Sequence, residues 1–127
     1  MTDGPRRMSD VAYALRTGAQ RIEPHGTAGF WPRLAAGEIA QDALVTCSRV
    51  DGDFPHWEMH PNGDELFILH SGVIDIVLEQ SGGERTVRLS AGETFVIPKG
   101  IWHRACVVEP GDLTFLTFGE GTRHRPI

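Results

Sequence analysis

The sequence predicts an all-β domain, a small antiparallel sandwich or barrel. Three observations carry this reading. Some seven or eight short runs rich in apolar and β-branched residues follow one another along the chain. Turn signals separate them at intervals of about 8 to 12 residues. No long segment with the 3.6-residue period of a helix competes with them.

The elements follow in order. The first dozen or so residues are polar and read as loose. "YALRTGAQRIEP" can form a short strand on either side of Gly18. "FWPRLAAG", residues 30–37, reads as one helical turn, with Pro32 near its start and Gly37 past its end. "DALVTCSRV" (42–50) is β-rich, and "DGDF" turns the chain into "HWEMH". "PNGD" is a strong turn signal. "ELFILHSG" and "VIDIVLEQ" are parted at Ser71-Gly72, and "SGG" (81–83) makes a hairpin with "ERTVRLS". "ETFVIP", "IWHRACVVE" and "LTFLTFG" are three further strands, the last two joined through "PGD" (110–112). The tail "EGTRHRPI" shows no regular pattern. These readings divide the chain into an irregular N-terminal extension (1–40), a β-barrel (41–120) and a tail (121–127).

Composition narrows the functional classes. A chain of 127 residues is one domain with room for a core. Its 40% hydrophobic and 23% charged residues are those of an ordinary soluble globule. The net charge is −5 and the basic residues are scattered, which argues against nucleic acid as a partner. No apolar run approaches the roughly 18 residues that span a bilayer. The start, "MTDGPRRMSD", lacks the apolar middle of a secretory signal. Cys47 and Cys106 are the two cysteines, too few for a disulfide scaffold, and a reducing cytoplasm is the expected location. Hydrolase, metalloprotease and nucleotide-binding fingerprints are absent.

The polar residues at 56–65 carry the chemistry. Side chains alternate across a strand, so His56, Glu58 and His60 share one face, with Trp57 and Met59 on the other. If the "PNGD" hairpin closes normally, Glu65 returns to that face. An unpaired carboxylate in a water-poor interior suffers a large desolvation cost. A divalent cation removes it by taking imidazole and carboxylate groups as ligands. In "GETFVIPKGIWH" (92–103), the Pro98-Lys99-Gly100 corner can aim His103 at the same interior.

Residues 52–72 resemble the first motif of the cupin superfamily: Gly52, five residues, Glu58-Met59-His60, four residues, Glu65, six residues, Gly72. Residues 92–103 resemble the second: Gly92, five residues, Pro98-Lys99-Gly100, two residues, His103. Two positions depart from the pattern. Glu58 stands where the first histidine is usual, and Val107 stands where an asparagine is usual. The resemblance implies a jelly-roll barrel, the double-stranded β-helix, with one divalent metal ion held by Glu58, His60, Glu65 and His103. By ligand softness that set favours iron(II) or manganese(II), with zinc and nickel next and copper disfavoured. In the competing reading, Glu58 faces solvent or pairs with an arginine, and the site has three ligands or none.

The resemblance further implies a metalloenzyme of the dioxygenase, isomerase, decarboxylase or hydrolase type. The substrate would be a small polar, oxygen-rich metabolite, with Glu58 or Glu65 as general base. The alternative is a metal-containing binding or sensor module without turnover. Single cupin domains commonly pair, so a homodimer is expected, with "GFWPRL" supplying apolar bulk that the barrel alone does not absorb. His56 reads as a rim residue and His70 as outward-facing. Phe67, Leu69, Phe95 and Ile97 read as barrel core, Trp57 and Trp102 as packing or contact residues, and Arg123 and His124 as solvated.

Overall fold

The alternating runs become antiparallel strands in the computed structural model, which describes residues 4–127. The extension forms a hairpin of β1 (Val11–Arg16) and β2 (Arg21–Gly26), followed by the helical turn α1 (Phe30–Ala35). Then come β3 (Ala43–Val50), β4 (His56–Met59), β5 (Glu65–Leu69), β6 (Val73–Gln80) and β7 (Gly83–Ser90). The chain ends with β8 (Thr94–Ile97), β9 (His103–Glu109), β10 (Gly111–Thr117) and β11 (Arg123–Pro126).

These strands make two sheets, ordered β2-β1-β3-β10-β5-β8 and β11-β4-β9-β6-β7. Together they form the jelly-roll barrel that the resemblance of the two motifs implied. Sequence neighbours such as β9 and β10 lie in different sheets although only Pro110 separates them. The corner at Gly111 packs against the corner at Ser71-Gly72, where β5 gives way to β6. A Cβ on Gly111 would stand 1.8 Å from the Ser71 carbonyl oxygen, and one on Gly72 would stand 2.5 Å from that of Glu109. Only glycine lets the two crossovers touch.

The barrel core lies between the sheets and includes Phe67, Leu69, Ile74, Ile76, Leu78 and Leu113, all essentially sealed from solvent. Each such burial contributes about 1.5–3 kcal/mol. Phe67, Leu69 and Ile97 are core, as expected, while Phe95 is half-buried. A smaller cluster of Ala12, Ala14, Phe30, Ile39 and Leu44 fixes the extension to the barrel.

Two expectations change. The extension is more regular than expected, because β1 pairs along β3 and so continues the barrel's own sheet. Part of the apolar bulk of "GFWPRL" is absorbed on its own chain: Phe30 is fully buried, whereas Trp31 stays 53% exposed. The tail is also regular, since β11 pairs with β4 from Arg123 opposite Met59 to Pro126 opposite His56. Cys47 and Cys106 are free thiols and half-buried. No helix among the described residues is long and apolar enough to cross a membrane.

Candidate metal centre

A single cross-strand row sets out the site. In the five-stranded sheet, His124 of β11 lies opposite Glu58 of β4, which lies opposite His103 of β9. Across the barrel, Glu65 at the start of β5 lies opposite Thr117 of β10. Glu65 belongs to the inward stripe Glu65-Phe67-Leu69, so alternation alone places a carboxylate in the core. His60 follows β4 directly. Its carbonyl accepts the Gly100 N–H at 2.9 Å, which ties it to the corner preceding His103.

The structure brings all four predicted ligands together. Donor atoms of Glu58, His60, Glu65 and His103 lie within 4.8 Å of one another. Glu65 Oε1 is 3.1 Å from both His60 Nε2 and His103 Nε2, while Glu58 Oε2 is 3.7 Å and 3.8 Å from them. His60, Glu65 and His103 are buried, and the Glu58 side chain is 26% exposed. Donors about 2.1 Å from one ion stand about 3.0–3.4 Å apart in octahedral or tetrahedral geometry. Glu65 Oε1 therefore already matches that spacing to each histidine, and Glu58 Oε2 stands a few tenths of an ångström beyond it.

Outer contacts orient His60, Glu65 and His103. His103 Nδ1–H donates to the Ile101 carbonyl at 3.0 Å. His60 Nδ1–H donates to Thr122 Oγ1 at 2.7 Å, and that hydroxyl donates onward to the Gly119 carbonyl at 2.6 Å. Both rings thus turn Nε2 toward the centre. The Thr117 hydroxyl donates to Glu65 Oε2 at 2.6 Å, leaving Oε1 for the centre. Such partners fix ring orientation and raise ligand basicity at metal sites.

The electrostatics fit a cation. With both Nδ1 atoms donating outward, the neutral rings and the carboxylates offer only lone pairs to the centre. His60 Nε2, though close to Glu65, lacks hydrogen-bond geometry to it and is a buried orphan. Without a metal, a proton must take the cation's place. Burial, the largest influence on His60, disfavours its charge, but the Glu65 carboxylate beside it and the charge of Glu58 outweigh it and raise its pKa above 6.5. Burial likewise pushes Glu65 up, but hydrogen bonds from His103 and Thr117 and the close, charged His60 prevail and hold it at about 2. A divalent ion replaces that proton without leaving any donor unsatisfied.

A cavity of about 1030 Å³ leads to the centre. Glu58, His60 and Glu65 are among its lining residues, and Trp31, Leu34, Phe54 and Phe115 supply apolar wall. His56, expected at the rim, is exposed and stands against His124, with ring centroids 5.7 Å apart. His70 faces outward and bonds Thr114 Oγ1 at 2.6 Å. Trp57 is buried beneath the guanidinium groups of Arg104 and Arg125, and Arg125 also covers Trp102. His124 is not simply solvated: its Nε2 lies 3.3 Å from Glu58 Oε1. Sequence reasoning missed Thr117, Thr122 and His124. Of these only Thr117 left a signal, as a polar residue in phase with Leu113 and Phe115.

Solved structures agree on the fold. A cupin-2 domain protein from Shewanella frigidimarina is 29% identical, with a TM-score of 0.52 over 62% of this chain and 72% of that one. Oxalate decarboxylase from Bacillus subtilis, an enzyme with Mn(II) centres, is 19% identical, with a TM-score of 0.56 over 68% of this chain but 24% of its own. Hydroquinone 1,2-dioxygenase from a Sphingomonas species, with 4-hydroxybenzoate bound, is 16% identical, with a TM-score of 0.52 over 61% of this chain and 59% of that one. The chain thus spans only part of the two enzymes, and at these identities they bear on the fold alone. No curated protein matches the chain. Residues 48–119, more than half of the sequence and both motif segments, match the cupin domain model, and the chain belongs to the cupin domain family.

Proposed function

We propose that this cupin holds one divalent ion on Glu58, His60, Glu65 and His103 and acts as an enzyme on a small oxygen-bearing metabolite. The observation that carries the reading is the orphaned His60 Nε2 beside Glu65, two residues that both line the cavity. Two carboxylates with two imidazoles make a hard, charge-neutralising set, which favours iron(II) or manganese(II), with zinc or nickel next. When bound, such an ion supplies Lewis acidity to a substrate oxygen and, as iron, reactivity toward O2.

The chain's own residues would divide the remaining work. Glu65 is buried and tied by Thr117, which suits a fixed ligand. Glu58 is partly exposed, stands farther from both histidines and borders the cavity, which suits a general base as well as a ligand. The aromatic and aliphatic wall suits a substrate with an apolar body and an oxygen-bearing head, a larger and less polar molecule than the site residues alone suggest.

The test is a panel of hydroxy, oxo and phenolic acids offered to manganese- and iron-loaded protein. Oxygen uptake, product formation and calorimetric binding are followed together. Turnover of a panel member supports the enzyme. Tight binding without turnover supports the alternative, a binding or sensor module.

A further inference from the structure

The C-terminal segment touches the metal centre at two points. Thr122 Oγ1 accepts the Nδ1–H of His60 at 2.7 Å, and His124 Nε2 meets Glu58 Oε1 at 3.3 Å. Elsewhere the segment is anchored away from the site. Asn62 Nδ2 donates to the Glu120 carbonyl at 2.8 Å. Arg125 pairs with Glu79 and lies over the rings of Trp57 and Trp102, 5.3 Å and 4.6 Å from their centroids.

We propose that residues 119–127 are a strap that positions the metal ligands, with Thr122 as the positioning residue of His60, so that metal binding and strap docking favour one another. The proposal rests on the metal-site reading above. Thr122 is the only hydrogen-bond partner of His60 Nδ1 among the described residues. Without its hydroxyl, the buried ring has no acceptor for that proton. The tautomer carrying hydrogen on Nε2 then gains ground, and it presents N–H rather than a lone pair to the centre. Loss of such an outer partner typically costs about 10- to 100-fold in metal affinity.

The strap is suited to reciprocal coupling. β11 is an edge strand whose sheet partner is β4, and β4 meets β9 in register only at Glu58 opposite His103. Edge elements with few partners open locally at low cost. Whatever fixes His60 and Glu58 in the docked state must therefore also hold the strap, because linkage acts equally in both directions.

Chelator-competition titrations with Mn²⁺ and Zn²⁺ on the full chain test this, using wild type, Thr122→Val, Thr122→Ser and Arg125→Met. Thr122→Val is expected to bind about 10- to 100-fold more weakly, and Thr122→Ser close to wild type. Arg125→Met, which touches no ligand, is expected to weaken binding by loosening the strap. Saturating metal should also slow tryptic cleavage of the Arg123–His124 bond, followed by mass spectrometry. If Thr122→Val fails to fold, Arg125→Met and the cleavage rate decide. Wild-type affinity in folded Thr122→Val, or in Arg125→Met, overturns the strap, as does cleavage indifferent to bound metal. Wild type that binds neither ion removes the metal-site reading and the strap with it.

Discussion

Glu58 stands directly opposite His103 across the β4–β9 pair, yet its Oε2 lies 3.8 Å from His103 Nε2, whereas Glu65 Oε1 lies at 3.1 Å. One carboxylate is set at ligand spacing, and the other stands farther out, with His124 Nε2 3.3 Å from its Oε1. Glu58 is therefore the adjustable member of the set. Glu58→Ala is expected to weaken metal binding by at least the roughly 10- to 100-fold lost with an outer-shell partner. Glu58→His is expected to keep the metal and shift preference toward zinc, nickel or copper. Competition titrations with several ions read both effects, and unchanged affinity in Glu58→Ala would show that Glu58 is no ligand.

The metal-free protein should have a stability maximum in mildly acidic solution. Glu65 titrates at 4.5 ordinarily and at about 2 in the fold, so its contribution is present above 4.5 and lost as the pH falls toward 2. His60 titrates above its ordinary 6.5, so its contribution is present below 6.5 and lost as the pH rises through the higher value. The expected maximum lies between these limits. Metal requires neutral His60, so the gain in melting temperature on adding metal should grow from about pH 5.5 to about pH 8. Thermal denaturation with and without manganese checks this, and a gain that shrinks across that range contradicts it.

Much of this site was legible because alternation along a strand needs no tertiary information. It placed Glu58 and His60 on one face, and it put Glu65 in phase with Phe67 and Leu69. The Pro98-Lys99-Gly100 corner likewise announced the approach of His103. The tail was illegible for a physical reason: "RHRP" has no apolar alternation, and β11 forms because β4 had an open edge and Arg125 found two tryptophan faces. Thr122 and His124 gain their roles only through that pairing. The regular extension was half legible, since strand propensity flanked Gly18 but nothing local named β3 as the partner.

Gly100 should resist substitution by a β-branched residue. Its φ is +80°, a left-handed conformation, and its N–H holds the His60 carbonyl. A Cβ there meets nothing within 4 Å, so backbone strain rather than a Cβ clash is the expected penalty. Gly100→Val is expected to cost about 1–3 kcal/mol in denaturant unfolding. A wild-type midpoint would show that the corner tolerates the side chain.

The homodimer expected from the sequence is a separate proposal. Ile22 is 68% exposed and Trp31 53% exposed on the single chain, apolar surface that a partner would cover. Light scattering should give twice the 14.0 kDa chain mass at micromolar concentration. A 14.0 kDa particle throughout would refute the dimer and leave the metal site untouched.

A divalent ion holding Glu58, His60, Glu65 and His103 together would explain why these four side chains converge. The most direct test is elemental analysis of untagged protein purified without added metal, beside His60→Ala and His103→Ala. Wild type is expected to hold close to one divalent ion per chain, with iron or manganese foremost, and either variant none, because each removes a buried nitrogen donor that nothing nearby replaces. A wild type without metal that also takes up none on reconstitution, or a His103→Ala variant that keeps a full complement, would contradict it.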